Sequence, residues 1–547
     1  MRRFALAVAL LFALTCLAQE RRRPEPAAAP AEQQQPAAER PEQPQRPAPP
    51  EKEPPEEKPV VTHQEARVGG KILRYTATAG MMPIKNEQTG KVEAHMFFVA
   101  YTLDPGSPER AGVARSGVVD NPSGGRALTV AFNGGPGSAS VWLHMGAIGP
   151  KRVKMLPEGG MPAPPFQIED NEASWLDQTD LVFVDPVGTG YSRAVTPELG
   201  KKFWGLEGDI ASVGEFIRMY LTRYQRWTSP LFLAGESYGT TRAAGLSGYL
   251  IDRGIPLNGI VLISSVLNFQ TLSSARGNDM PYVLYLPTFT MTAYYHKKLP
   301  AEVQQMDQAK LLAEVSQWAE GAYLQALEKG DRLTQQERRE VMQKLARYTG
   351  LPERVIDEAD LRIDQPRFNR ELLRDQHLIV GRLDARFTGS ELSGGDRGDY
   401  DPSEAAIRPP YTTVFNEYVR NQLGYKTDSV YYILGGGIGA PWDMGVGSRG
   451  GFPETAEALH RAFAKNPYMK VLVAEGWYDE ATSLLAIEYT LAHMGLAPEH
   501  RKNISTAQYP AGHMVYIQLQ SLNKLKQDVA AFMQQALSER TGKDLGR

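Results

Sequence analysis

A serine hydroxyl is a weak nucleophile until the backbone exposes it and a base stands ready to take its proton. Residues 231–246 read LFLAGESYGTTRAAGL, and Gly235-Glu236-Ser237-Tyr238-Gly239 within them is a GxSxG. A short apolar run precedes it and a small-residue stretch able to form a helix follows, the strand, sharp turn, helix order of a nucleophile elbow. In so tight a turn only residues without a Cβ let neighbouring backbone pass closely, which explains the flanking glycines. Ser237 is therefore the expected nucleophile.

A serine of this kind needs a histidine base and an acid that orients it, met along the chain in the order Ser, acid, His. Downstream of Ser237 lie His296, His377, His460, His493, His500 and His513. His493 falls in a predicted helix, His296 and His377 in charged helical sequence, and His460 and His500 beside helices. His513 alone sits in a glycine-containing loop, PAGHMVY, directly after the last predicted strand. For the acid, Asp479 ends the run KVLVAEGWYD, with Glu475 and Glu480 as competitors. Glu475 lies too far back along the strand, and Glu480 is placed to open the next helix, where an acid is common. The transition-state oxyanion needs two backbone donors. Tyr238, which follows the nucleophile, supplies one, and Gly134 or Gly135 of FNGGPGS the other.

The elements that must position these groups are legible as short apolar runs separated by helical stretches. ALTVAFNGGPGSASVWLHMGAIGP (127–150), DLVFVDPVGTGYS (180–192), LFLAGESYG, GIVLISSVLNF (259–269), YMKVLVAEGWYDE (468–480) and ISTAQYP succeed one another. That alternation predicts an α/β fold with a mostly parallel sheet covered by helices on both faces. Before it, KILRYTATAGMMPI and KVEAHMFFVAYTL flank a turn at 86–90 and read as opening antiparallel strands. Between residues 271 and 428 the sequence becomes charged and helix-favouring, with Leu311, Val315, Trp318 and Ala322 at helical spacing, which predicts an inserted helical cap.

The chain has 547 residues, a formal net charge of −3 from 60 basic and 63 acidic residues, and one cysteine, Cys16. No basic footprint for nucleic acid is present. With no other cysteine, a disulfide, a thiolate nucleophile and a cysteine metal site are excluded from the rest of the chain. Residues 1–18 carry two arginines, an apolar core shorter than the ~20 residues of a membrane span, and a small residue at Ala18. They predict a signal peptide and hence an exported protein, periplasmic or extracellular, with lipidation of Cys16 as the alternative to cleavage after Ala18. Residues 19–59 are rich in Pro, Ala, Glu and Gln and predict a disordered tether with reach from the envelope. The α/β core then occupies 60–270 and 429–547, interrupted by the cap at 271–428. No HExxH, cysteine cluster or P-loop calls for a metal or nucleotide cofactor, and GGGIGA (435–440) runs into Pro441 where a dinucleotide fingerprint would start a helix.

FNGGPGSAS with GAIGP, DLVFVDPVGTGYS, LAGESYGTTRAAGL and PAGHMVY resemble the serine carboxypeptidase family, which joins an α/β-hydrolase core to a helical cap, and YLPTFTMTAYYHKKL (285–299) resembles a segment of bacterial members. The resemblance implies a triad of Ser237, Asp479 and His513, an oxyanion hole from the N–H groups of Gly135 and Tyr238, and recognition of a peptide's free C-terminal carboxylate by Asn133, Gly134 and Glu236. A glutamate beside a carboxylate requires that one of them be protonated, so an acidic optimum for peptide hydrolysis is expected. The chain departs from the family at Ala147, where a second glutamate is usual, and at Ser138, where a cysteine is common. Three readings follow: a serine carboxypeptidase acting on peptides with free C-termini, an esterase, amidase or acyltransferase on the same triad, which Ala147 favours, and a non-catalytic envelope binding protein on a hydrolase scaffold. The sequence leaves the oligomeric state open.

Overall fold

The short apolar runs become strands of one ten-stranded sheet. In chain order these are β1 (Val60–Val68), β2 (Lys71–Lys85), β3 (Val92–Leu103), β4 (Leu128–Phe132), β5 (Asp180–Val184), β6 (Arg193–Ala194), β7 (Leu231–Ser237), β8 (Gly259–Ser265), β9 (Lys470–Gly476) and β10 (Ile504–Tyr509). The computed structural model describes residues 57–104, 125–392, 400–445 and 452–538. The expected signal peptide, Cys16 and nearly all of the expected tether lie outside the described residues.

Spatially the order is β1-β2-β3-β5-β4-β7-β8-β9-β10, with β6 paired to the end of β3. β1, β2, β3 and β5 pair antiparallel, and from β5 through β10 every neighbour is parallel. The turn expected at 86–90 joins β2 to β3, closed by Asn86, whose side-chain oxygen accepts from the N–H groups of Gln88 and Thr89. Alternation along the parallel strands shows why they are apolar throughout. Val261 and Ile263 of β8 enter one apolar layer while Ile260 and Leu262 enter the other. Both faces are covered, so both sets of side chains leave water, each full burial contributing about 1.5–3 kcal/mol. This order, parallel for most of its width with helices on both faces, is the α/β-hydrolase fold.

Between β8 and β9 the described chain is mainly helical, including Met280–Tyr295, Gln308–Trp318, Gln335–Thr349 and Pro402–Glu417, with one short antiparallel pair, Leu378–Val380 and Thr388–Ser390. Much of it packs around a third apolar cluster of its own, with Phe289, Leu311, Val315, Tyr323, Tyr348 and Phe368 at its centre. Trp318 and Tyr323 stack there with ring centres 5.4 Å apart. The helix Gln335–Thr349 begins with a reciprocal cap between Thr334 and Glu337, which satisfies N–H groups the first turn would otherwise leave bare. Among the described residues no helix is long and apolar enough to cross a membrane.

β4 pairs with β5 on one side and β7 on the other, so the chain reverses its direction of progress across the sheet there. In open α/β sheets the crevice beyond the strands' carboxyl ends at such a reversal is where ligands bind. Asn133 follows the end of β4 and Ser237 closes β7. Asp479 and His513 follow β9 and β10, so all four groups come to one rim.

Candidate active site

The elbow forms because the sequence leaves it no alternative. Ser237 ends β7 and is the residue from which the helix Tyr238–Ile251 starts, at φ 59° and ψ −132°. Such a backbone costs a non-glycine residue on the order of 1–3 kcal/mol and persists only when its surroundings enforce it. They do so by crowding. A Cβ on Gly235 would stand 2.3 Å from the carbonyl oxygen of Gly239, and one on Gly134 would stand 2.4 Å from the N of Tyr238. The glycine loop after β4 is thereby brought against the first turn of the helix, whose N–H groups and dipole favour negative charge. Arg242 locks the arrangement from below: fully buried, it pairs with Asp209 at 2.8 Å and donates to the carbonyl oxygen of Asn133 at 2.6 Å.

Opposite the elbow, His513 Nδ1 lies 2.8 Å from Asp479 Oδ2. Both side chains are buried. Asp479 also accepts from the N–H groups of Ala481 (2.8 Å) and Thr482 (2.9 Å) and from the Thr482 hydroxyl (2.7 Å). The imidazole is held at its backbone as well, because His513 N–H donates to the Leu383 carbonyl at 2.6 Å and the Ser264 hydroxyl to the His513 carbonyl at 2.5 Å. With Nδ1 committed to the carboxylate, Nε2 is the nitrogen left to take a proton. Burial alone would lower the imidazole's pKa, but the charge and hydrogen bond of Asp479 outweigh it and leave it raised above 6.5.

Ser237 and His513 line the same cavity of about 150 Å³, together with Asn133, Gly134, Gly135, Glu236 and Met514. No direct hydrogen bond joins the serine hydroxyl to the imidazole among the described residues. Such bonds commonly tighten only when substrate binds. Glu236 is buried, accepting from Asn133 Nδ2 at 2.9 Å and from the Tyr516 hydroxyl. Burial pushes its carboxyl up to about 7, opposed by the His513 charge and by these two hydrogen bonds.

The other acids and histidines are engaged elsewhere. Glu475 accepts from the N–H of Ser265 at 3.0 Å, inside the sheet. Glu480, expected to open a helix, does not: the helix begins at Leu484, and Glu480 is buried against the Thr292 hydroxyl at 3.1 Å. The intervening turn is wound around Asp479, which postpones the helix. His460, expected beside a helix, lies within Ala456–Lys465, and His500 within Pro498–Arg501. His493 caps the helix Leu484–Ala492 and His296 meets the Ala385 carbonyl at 2.7 Å. GGGIGA (435–440) is loop, with Gly435 N–H donating to the Gly137 carbonyl at 2.8 Å. Among the described residues no group of three or more His, Cys, Asp or Glu could hold a metal ion.

Sequence reasoning missed Thr482, Arg242 and Tyr516. Thr482 and Arg242 carry no local signal, since what they do depends on partners distant in the chain. Tyr516 stands inside PAGHMVY, but nothing in that motif says where its hydroxyl points.

A family model described as serine carboxypeptidase matches residues 119–343. That span includes Asn133, Gly134, Gly135, Glu236, Ser237 and Tyr238 and stops short of Asp479 and His513. The chain is 33% identical over 124 residues to the pheromone-processing carboxypeptidase kex1 of Pyrenophora tritici-repentis, covering 22% of this chain and 18% of that one. It is 29% identical over 192 residues to its counterpart in Coprinopsis cinerea (34% and 27% covered). It is likewise 29% identical over 150 residues to serine carboxypeptidase-like 36 of Arabidopsis thaliana (26% and 28%). The chain thus spans less than a third of the length of these curated relatives. Solved structures that resemble it include a lipase in open form, 13% identical with a TM-score of 0.31, covering 84% of this chain and 99% of the other.

Proposed function

We propose that this chain is a serine carboxypeptidase, with Ser237, His513 and Asp479 as its triad. The observation that carries the reading is one cavity lined by His513, the strained serine and a buried glutamate, with Asp479 bonded to the imidazole from behind. The serine carboxypeptidase match over the nucleophile half of the site supports it.

In the proposed reaction His513 Nε2 removes the proton from Ser237 Oγ as the oxygen attacks the last peptide carbonyl carbon. The negative charge that forms on the carbonyl oxygen is met by the N–H groups of Tyr238 and Gly135, each donor of this kind contributing about 10²–10³ in rate. His513 then gives its proton to the departing amine and the C-terminal residue leaves. Water, deprotonated by the same imidazole, releases the acyl chain and restores the serine. Asn133, Gly134 and Glu236 hold the substrate's terminal carboxylate. The reading also includes export through residues 1–18, a role for 271–428 as a cap over the site, and the kinship with bacterial members, which rests on residues 285–299 alone, since the relatives named above are fungal and plant proteins.

Ala147 favours a second reading, an esterase, amidase or acyltransferase, because it leaves Glu236 without a carboxyl to share its proton. Incubation of the purified protein with a mixed peptide library, each peptide present as free acid and as C-terminal amide, separates the two by mass spectrometry. Stepwise shortening of the free acids is expected. Equal turnover of acids and amides would replace carboxypeptidase by the second reading. In the same assay Ser237→Ala is expected to lower kcat on the order of 10⁶-fold and abolish labelling by a fluorophosphonate.

A further inference from the structure

Tyr516 is fully buried on the short turn Val515–Ile517, just beyond the loop that carries His513. Its hydroxyl donates to Glu236 Oε2, while Asn133 Nδ2 donates to Oε1 at 2.9 Å. Asn133 cannot turn over freely, because its own Oδ1 accepts from the N–H of Leu143 at 3.0 Å. The tyrosine is equally confined. A Cβ on Gly146 would lie 2.6 Å from Tyr516 Cε2 and 2.5 Å from the Tyr411 hydroxyl, so the ring runs through space that only glycine leaves open. Glu236 is thus gripped at both oxygens by donors from two separate strand-end segments.

We propose that Tyr516 is the positioning residue for Glu236, holding its carboxyl in place against a substrate's terminal carboxylate and setting the pH at which that recognition is lost. This rests on the carboxypeptidase reading for the identity of the substrate group, but the contact between Tyr516 and Glu236 does not.

The chemistry of the donor matters. Two carboxyls would share a proton and titrate as a pair. A buried phenol, its own pKa pushed well above 10 by burial, keeps its proton throughout the working range and only donates. At Oε2, therefore, Glu236 has a partner that does not compete for its proton. The ionisable groups around it are His513 and Asp479 from the loops after β10 and β9, Tyr411 from the helix Pro402–Glu417 and Tyr516 itself, while Arg382, Asp401 and Glu404 line the same cavity. His144, on the turn beside Gly146, is turned instead to the Tyr101 hydroxyl at 2.6 Å. A hydrogen bond to a carboxylate favours its charged form, so removing the phenol hydroxyl must raise the Glu236 midpoint.

The test is a pH titration of the full chain by infrared difference spectroscopy, in which the protonated-carboxyl band lost in Glu236→Gln identifies Glu236. In Tyr516→Phe its midpoint is expected to move up by about one pH unit, tenfold in the proton-binding constant. Gly146→Ala, which displaces the ring without removing the hydroxyl, is expected to move it the same way. In parallel, the ratio of kcat/KM for a free-acid peptide to that for its amide is expected to fall at a higher pH in Tyr516→Phe than in the wild type. A purely packing role would lower that ratio at every pH and leave the midpoint where it was, and that result overturns the proposal. A wild-type ratio near one at all pH values would instead overturn the carboxypeptidase reading, while the infrared midpoint still decides what Tyr516 does.

Discussion

Among the buried carboxylates at this rim, Asp479 and Glu236 are solvated differently. Asp479 receives two backbone N–H groups, a threonine hydroxyl and the imidazole, all between 2.7 and 2.9 Å. Glu236 receives one amide and one phenol, both from side chains. Backbone donors cannot rotate away, so Asp479 is fixed as an acceptor and can do little but orient the imidazole. Glu236 has fewer donors, and burial pushes its carboxyl up to about 7. The two groups thus differ in how firmly they are held, Asp479 largely by fixed backbone donors and Glu236 by two side chains alone.

The largest effect that would break this comparison is at Asp479. Asp479→Asn preserves shape but presents a donor to Nδ1 and selects the wrong imidazole tautomer, so kcat is expected to fall on the order of 10⁴-fold on acids and amides alike. Active-site titration with steady-state kinetics checks it. A loss confined to free acids would mean that the two carboxylates do not divide the work as described.

Next in size is the pH dependence that Glu236 imposes. Its protonated form is the one that can face a carboxylate, so preference for free acids is expected to be full below about 7 and to fall about tenfold for each pH unit above it. His513 must be neutral to act as base, and its pKa is raised above 6.5, so turnover of amides and esters is expected to climb with pH through a midpoint above that value. Free acids should therefore show a bell and esters a single rise. Each group is also shifted by the other's charge, Glu236 lowered by His513 and His513 raised by Glu236, so the limbs of the bell belong to the pair. In Glu236→Gln the descending limb is expected to vanish, and a bell that survives would assign it to another group.

The smallest effect sharpens the comparison. Thr482→Val removes one of the four donors on Asp479 and is expected to cost about 1 kcal/mol of orientation, a several-fold loss of kcat with little change in the ratio of acid to amide turnover.

The strand pattern and the elbow could be read from the chain because they depend on neighbours in sequence. The GxSxG, the apolar runs and the turn at Asn86 each act over a few residues, and the structure has them where the sequence reading put them. Glu480 was misread for the opposite reason. Its helix-opening signal is local, but the turn around Asp479 takes those residues first and delays the helix to Leu484. The histidines were separable by setting alone, yet only the fold reveals that His296 is occupied by the Ala385 carbonyl.

Sequence by itself determined that a strained serine would stand between a parallel strand and a helix, because glycine spacing and apolar periodicity are short-range properties. Tertiary structure decided which groups would meet that serine and how each would be charged. Asn133, Glu236, Asp479, His513 and Tyr516 come from segments far apart in the chain, and their ionisation depends on burial and on donors that exist only once those segments have packed together.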